Sequence, residues 1–314
     1  MSIIIGVDIG GSHISSAAIQ SNVFTIIDGT YFSGAVNSKA SKEVILEKWA
    51  EIINHTIDVV HNIPEFDADE KIGIAFSMPG PFQYQTGIAM FEGNDKYESL
   101  YNVSVPDELL KYLKTQNVSF RFLNDASCFG VGGVLKQEQE PENKKVIAIT
   151  LGTGFGAAFL DNKLPITQGD NVPDNGCLWD KKYNGDLADN CFSTRWFLNQ
   201  YEQSTGEKLT DGVKEIADIE NEHAVKIFKS FAFNLAEFLA PYIVDFNAGL
   251  LVIGGNIAKS HRLFLAPFEE SLKNRNIELA VSIVDNTEQT SILGSSYLFN
   301  ESFWEKIKEE LPLF

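Results

Sequence analysis

Ile3 to Asp8 is an apolar run closed by an Asp and two glycines, and apolar residues alternate after it at Ile14, Ala17 and Ile19. Val146 to Thr150, the turn Leu151-Gly152-Thr153-Gly154 and Phe155 to Leu160 repeat that order in the second half of the chain. Short apolar runs bounded by glycine read as strands joined by tight turns. The repetition points to an internal duplication and to two α/β halves. With 314 residues, 44% of them hydrophobic, the chain is long and apolar enough for a core in each half.

The rest of the pattern fills in both halves. Val23 to Phe32 is β-rich and completes a three-stranded antiparallel opening. Ile45, Trp49, Ile52, Ile53, Ile57 and Val60 recur at helical spacing between Ser41, the expected N-cap, and His61. A buried strand at Ile72 to Phe76, a Pro79-Gly80-Pro81 turn, a polar loop through Asn94, a short helix at Pro106 to Leu113 and a strand at Val118 to Leu123 follow. In the second half, Ser204 to Ile219 reads as one polar helix, and Glu222 to Ala240 as an amphipathic helix that Pro241 should kink or end. Leu250 to Ile253 followed by Gly254-Gly255, a helix from Ser260 to Asn274, a strand from Ile277 to Val284, a helix from Thr290 to Asn300 and a short helix from Phe303 to Leu311 complete the reading.

Charge removes whole classes of function. Forty-three acidic against 25 basic side chains leave a formal charge of -18, which repels nucleic-acid phosphates and anionic membranes, so no nucleic-acid or membrane partner is expected. The opening MSIIIGVDIGGSH lacks the basic region and apolar core of a signal peptide, and no apolar run approaches the ~18 to 20 residues of a membrane span. A cytoplasmic protein is expected. Cys128, Cys177 and Cys191 form no CxxC pair and read as reduced, structural thiols.

Four constellations carry chemistry. In Asp8-Ile9-Gly10-Gly11-Ser12, two glycines permit a tight turn whose N–H groups can face a phosphate, Asp8 at the strand end can hold a hydrated Mg²⁺, and Ser12 can donate to a phosphate oxygen. The bland alternative is a glycine hairpin with Asp as a turn residue. Gly152-Thr153-Gly154-Phe155-Gly156 offers a second such turn, and Gly254-Gly255 lets a flat ring or ribose lie against backbone. Asn124-Asp125 ends a strand and opens a helix, so Asp125 is either a helix cap or a base that takes a proton from a substrate hydroxyl while Asn124 fixes neighbouring hydroxyls. Phosphoryl transfer asks little more of a protein than positioning, charge neutralisation and one base. Neither a GxxxxGK[ST] loop nor a GxGxxG fingerprint occurs.

In this order the motifs resemble those of the ROK family of bacterial sugar kinases and repressors, within the superfamily of actin, the heat-shock ATPases and hexokinase. Asp8 to Ser12 resembles the first phosphate motif, Asn124-Asp125-Ala126 the catalytic motif, Gly152 to Gly156 the second phosphate motif and Gly254-Gly255 the adenosine motif. The resemblance covers essentially the whole chain. It implies an α/β protein of two actin-like ATPase (ribonuclease H-like) domains, mixed sheets flanked by helices with a cleft between them. Residues 1–121 with 300–314 would form a small N-terminal domain and 122–299 a larger one. It further implies ATP and Mg²⁺ as cofactors, a hexose as substrate in a glucokinase-like reaction, Asp125 as general base, and a homodimer. Asp8, Gly10, Gly11, Ser12, Gly152, Thr153, Gly154, Gly254 and Gly255 would meet the nucleotide, with Gly294 in a small-residue turn near its base. Gly80, Asn94, Asn124 and Asp125 would meet the sugar.

The chain also departs from the family. Where many members carry Glu-x-Gly-His, it reads Gly176-Cys177-Leu178-Trp179-Asp180, leaving Asp180 as the nearest polar substitute toward the sugar. The family's CxCGxxGC segment is replaced by Lys181 to Cys191 with a single cysteine, so no structural zinc is expected. Trp179 can stack on a sugar or fill the core, and the core reading is preferred. Arg195 is expected to brace this loop through an ion pair, and His13 is read as a strand residue beside the first turn. The rival function is a sugar-responsive regulatory protein of weak or no turnover. The repressors of the family carry a helix-turn-helix ahead of the first strand, which here starts at Ile3.

Overall fold

Every residue of Ile3–Ile9 (β1) and of Ile72–Met78 is buried, as an apolar strand must be when both faces of its sheet are covered. β1 turns back antiparallel into His13–Gln20 (β2) and lies parallel to Ile72–Met78 (β3), which in turn lies parallel to Val118–Asn124 (β4). The expected strand over Val23 to Phe32 is two short pieces instead, Thr25–Ile26 and Phe32–Ala35, both paired with β2. Lys42–His61 (α1) buries nine residues, including Trp49, Ile53 and Ile57, in the expected helical stripe. Ser41 occupies the N-cap position with extended backbone but no capping bond from its side chain, so burial rather than a cap holds this helix. The computed structural model describes residues 3–311 except 65, 68, 94, 140 and 220.

The second sheet repeats the first. Lys145–Leu151 (β5) pairs antiparallel with Phe155–Asp161 (β6) and parallel with Leu250–Gly254 (β7), and β7 runs parallel to Ala280–Ile283 (β8). Each sheet is thus a hairpin extended on one side by parallel strands, the topology that the repeated pattern pointed to. Contacts divide the chain into Met1–Lys136 with Glu288–Phe314, and Gln137–Thr287. That division falls elsewhere than the expected breaks after 121 and before 300. β4 is the last strand of the first sheet and runs straight into Asp125–Leu135 (α2), which keeps α2 in the first unit.

The second unit's core is aromatic, with Phe155, Phe192, Phe197, Phe228, Phe231 and Phe238 all buried. Glu222–Phe246 (α3) supplies much of it and runs on past Pro241 instead of ending at Ala240. A proline deletes one helical hydrogen bond, while Ile243 and Phe246 beyond it are buried and hold the last turn in place. By length and composition α3 could cross a membrane, contrary to the sequence expectation, yet its Phe228, Phe231, Leu235 and Leu239 are spent on this core. Of the expected helix from 204 to 219 only the last residues of Thr194–Thr205 and Val213–Ile219 are helical, because Gly206 adopts φ 78° and stops the first helix. Likewise the stretch from 260 to 274 divides into a 3₁₀ turn, Ala258–Leu263, and Leu265–Lys273.

Candidate functional site

In the first unit the chemistry gathers where parallel strands end. The registers Asp8↔Ser77 and Met78↔Asn124 bring Asp8, Ser77 and the Asn124-Asp125 pair to the carboxyl ends of β1, β3 and β4, the edge at which open α/β sheets bind ligands. Asp8 is 8% exposed, and Ser77 Oγ donates to its Oδ1 at 2.6 Å. Burial pushes the Asp8 carboxyl up to about 8; the Ser77 bond opposes this, and the charges of Asp125 and Glu288 reinforce it.

Asn124 caps α2 through its side-chain oxygen, which accepts from Ser127 N–H at 3.3 Å. Its amide nitrogen donates to Asp125 Oδ1 at 3.0 Å and to the Tyr84 hydroxyl at 3.3 Å. Asp125 Oδ1 also accepts the Ala126 N–H at 2.8 Å, while Oδ2 accepts from no other described residue. One oxygen is fixed and one is open. Burial raises the Asp125 pKa, and the bonds to Oδ1 pull the other way. A raised, oriented carboxylate is matched to general-base work. Tyr84, buried below the Pro79-Gly80-Pro81 turn, donates to Met78 O at 3.2 Å and carries no sequence signal, since no spacing links it to Asn124. Gly80 stands on that turn, and a Cβ there would lie 3.4 Å from the Tyr84 hydroxyl. Asn94 lies outside the described residues.

The first glycine turn is closed by Gly10 N–H donating to His13 O at 2.9 Å, and the amides of Gly11 and Ser12 donate to no described residue. His13 opens β2, its ring lies over Gly10, and its Nε2 is 3.3 Å from Glu288 Oε1. Glu288 Oε2 accepts from Ser15 at 2.7 Å and Tyr31 at 2.6 Å. The Tyr97 hydroxyl donates to Gly10 O at 2.6 Å. Neither Glu288 nor Tyr97 carries a local sequence signal.

Gly294 is expected in a turn, and the structure places it inside the helix Thr287–Ser296 (α4). There it faces α2: a Cβ at Gly294 would overlap Cys128 O, and one at Gly132 would overlap Thr290 O. Two helices meeting at backbone distance need glycine at both contacts.

In the second unit, Gly152 N–H donates to Gly154 O at 3.0 Å, and the amides of Thr153 and Gly154 donate to no described residue. Asp189 Oδ1 accepts the Phe155 N–H at 2.8 Å, and its Oδ2 takes Arg195 Nη2 at 2.7 Å. The same Nη2 donates to Thr153 O at 3.2 Å, and Thr194 donates to Gly152 O through both its N–H, at 2.8 Å, and its hydroxyl, at 3.0 Å. Arg195 therefore forms the expected ion pair. Gly255, at φ 94°, packs on Leu151 O and donates its N–H to Thr287 Oγ1 at 2.7 Å, which brings the Gly254-Gly255 motif against the second turn. Asp180 is exposed and ion-paired to Lys181 at 3.1 Å. Trp179 is 51% exposed rather than in the core, because Leu178 beside it takes the buried position.

Among the described residues no group of three or more His, Cys, Asp or Glu is placed to hold a metal ion. Mg²⁺ asks for less, since one or two carboxylates with substrate phosphates and water suffice. Asp8 fits that donor set: its carboxylate is desolvated, Ser77 occupies Oδ1, and Oδ2 accepts no hydrogen bond from a described residue.

A mixed α/β chain with a duplicated hairpin-plus-parallel sheet, a glycine turn in each half and a carboxylate at the strand ends has the actin-like ATPase fold. A profile described as the ROK family matches residues 4–302, and the chain belongs to that family. It is 25% identical to the glucokinase of Thermotoga maritima, covering 95% of this chain and 97% of that one. It is 27% identical to the N-acetyl-D-glucosamine kinase of Haemophilus influenzae, covering 83% and 86%. A crystal structure of a ROK family glucokinase from Streptomyces griseus, in complex with glucose and AMPPNP, superimposes with TM-score 0.72 at 19% identity, covering 96% of this chain and 100% of the other.

Proposed function

We propose that the protein is an ATP-dependent sugar kinase that moves the terminal phosphoryl group of MgATP to a hexose hydroxyl. The observation that carries this reading is Asp125, a half-buried carboxylate with Oδ1 fixed by Asn124 and Ala126 and Oδ2 open, at the strand ends that also carry Asp8. In this reading Asp125 Oδ2 accepts the proton of the attacking hydroxyl. Asn124 acts through Asp125, since its own amide is engaged. Each unit brings donors suited to this reading: in the first the open amides of Gly11 and Ser12 can take phosphate oxygens, and in the second the open amides of Thr153 and Gly154 and the bare backbone of Gly254-Gly255 suit phosphate and nucleoside. Asp8 holds the divalent cation, which supplies charge neutralisation on the phosphates.

The kinship with both a glucokinase and an N-acetylglucosamine kinase supports a hexose or an N-acetylated hexosamine as acceptor. A panel of glucose, other hexoses, amino sugars, N-acetylated sugars and fructose, read as ADP release, tests this. Release that depends on one of these sugars is expected. Sugar binding without ADP release from any of them would instead favour the regulatory reading, and ADP release with no sugar present would mark an ATPase.

A further inference from the structure

Sequence motifs leave the first glycine turn without a cation, although a polyphosphate would approach a chain of net charge -18 there. The fold supplies one. A Cβ at Gly11 would lie 2.7 Å from Lys96 Nζ, 3.1 Å from its Cε and 3.2 Å from its Cδ, so the lysine stem runs along the turn and its ammonium sits over Gly11.

The neighbouring backbone is anchored to the same turn. Tyr97, 1% exposed, donates its hydroxyl to Gly10 O at 2.6 Å and its N–H to Ser38 O at 2.7 Å, and its ring meets Trp49 edge-on. Asp95, the nearest acid in sequence, is taken by Lys39 at 3.0 Å. Among the described residues Lys96 Nζ has neither hydrogen bond nor ion pair. An exposed lysine normally extends into water. This one has an anchored backbone and a free ammonium beside the unsatisfied amides of Gly11 and Ser12.

We infer that Lys96 is the phosphate-binding cation of the first turn, donating to an oxygen of the polyphosphate that the Gly11 and Ser12 amides hold. The ammonium replaces the lysine of a P-loop by a route that is remote in sequence and adjacent only in the fold. The inference rests on the kinase reading for its natural ligand but not for its test.

Inorganic tripolyphosphate and ATP are titrated calorimetrically into the whole chain, its Lys96→Met variant and its Lys96→Arg variant. Expected are a loss of affinity of about tenfold or more for both anions in Lys96→Met, near-complete retention in Lys96→Arg, and a weaker salt dependence in Lys96→Met. With the preferred sugar, KM for ATP rises and KM for sugar does not. Equal affinity of wild type and Lys96→Met for tripolyphosphate overturns the inference and leaves the kinase reading intact. Lys96-dependent tripolyphosphate binding by a chain that phosphorylates no sugar upholds the inference and removes the kinase reading. A selective rise in the sugar KM would assign Lys96 to the acceptor and overturn the inference as well.

Discussion

The two glycine turns come from one repeated pattern and are built for different work. Around Gly10-Gly11-Ser12 stand groups that carry or exchange charge: Asp8 beneath, His13 and Glu288 to one side, Lys96 above. Around Gly152-Thr153-Gly154 the charges are spent on the turn itself, with Asp189 and Arg195 tied to each other and to the backbone of Phe155 and Thr153. The repeat thus shares a backbone device, a hairpin tip with open amides, while the side chains around it differ: ionisable groups gather at the first tip and a braced ion pair at the second.

That contrast can be broken by substitution. The largest effect is expected from Asp125→Asn, which keeps the shape and removes the base. kcat should fall by at least about a hundredfold with sugar affinity retained, and near-full turnover would take Asp125 out of the mechanism. Asp189→Ala leaves the Phe155 N–H without its acceptor and Arg195 without its partner. A hydrogen bond to a charged group is worth roughly 1.5–3 kcal/mol, so nucleotide affinity should drop about tenfold with the sugar KM unchanged. An unaltered nucleotide KM would show that the second turn needs no brace. A milder contrast lies in Gly11→Ala against Gly152→Ala. A methyl at Gly11 displaces Lys96, whereas one at Gly152 meets nothing within 4 Å. Both variants should keep the wild-type melting temperature, and the first should lose more ATP affinity; equal losses would mean that the charged surroundings of the first turn add nothing.

A separate expectation concerns stability against pH. Asp8 has its carboxyl at about 8 in the folded chain against 3.8 for an ordinary aspartate, so the folded state holds the proton more tightly than the unfolded one. Its contribution is fully present below the ordinary value and is lost as pH rises through about 8. Stability of the metal-free chain should therefore decline between those values, with a slope from this group no steeper than about 1.4 kcal/mol per pH unit. Asp125, raised in the same direction, adds to it. Denaturation across that range should show a flatter profile in Asp8→Asn; identical profiles would mean that Asp8 does not titrate there.

Much of this was legible in the chain because it depends on neighbours in sequence. Strand, glycine turn and strand are local, as is the Asn124-Asp125 start of α2, where the same residues serve as cap and candidate base. Gly206 and Pro241 mark where local pattern and tertiary packing part. A left-handed glycine ends a helix just inside the stretch that reads as helical, and buried residues beyond Pro241 carry a helix past the point where a proline alone would stop it. Gly294 was visible as a small residue but not as a helix crossing, since the need for it lies in Cys128 and the backbone of α2.

The sequence by itself determined the duplication, the two turns and the class of chemistry, because backbone conformation and hydrophobic period are properties of adjacent residues. Only the tertiary structure decided the electrostatics. The elevated proton affinity of Asp8, the seating of Lys96 over Gly11, the Tyr97 bond to Gly10 and the Asp189–Arg195 brace all join residues that are distant along the chain. Burial and Coulomb interactions depend on distance in space, which no spacing in the sequence encodes.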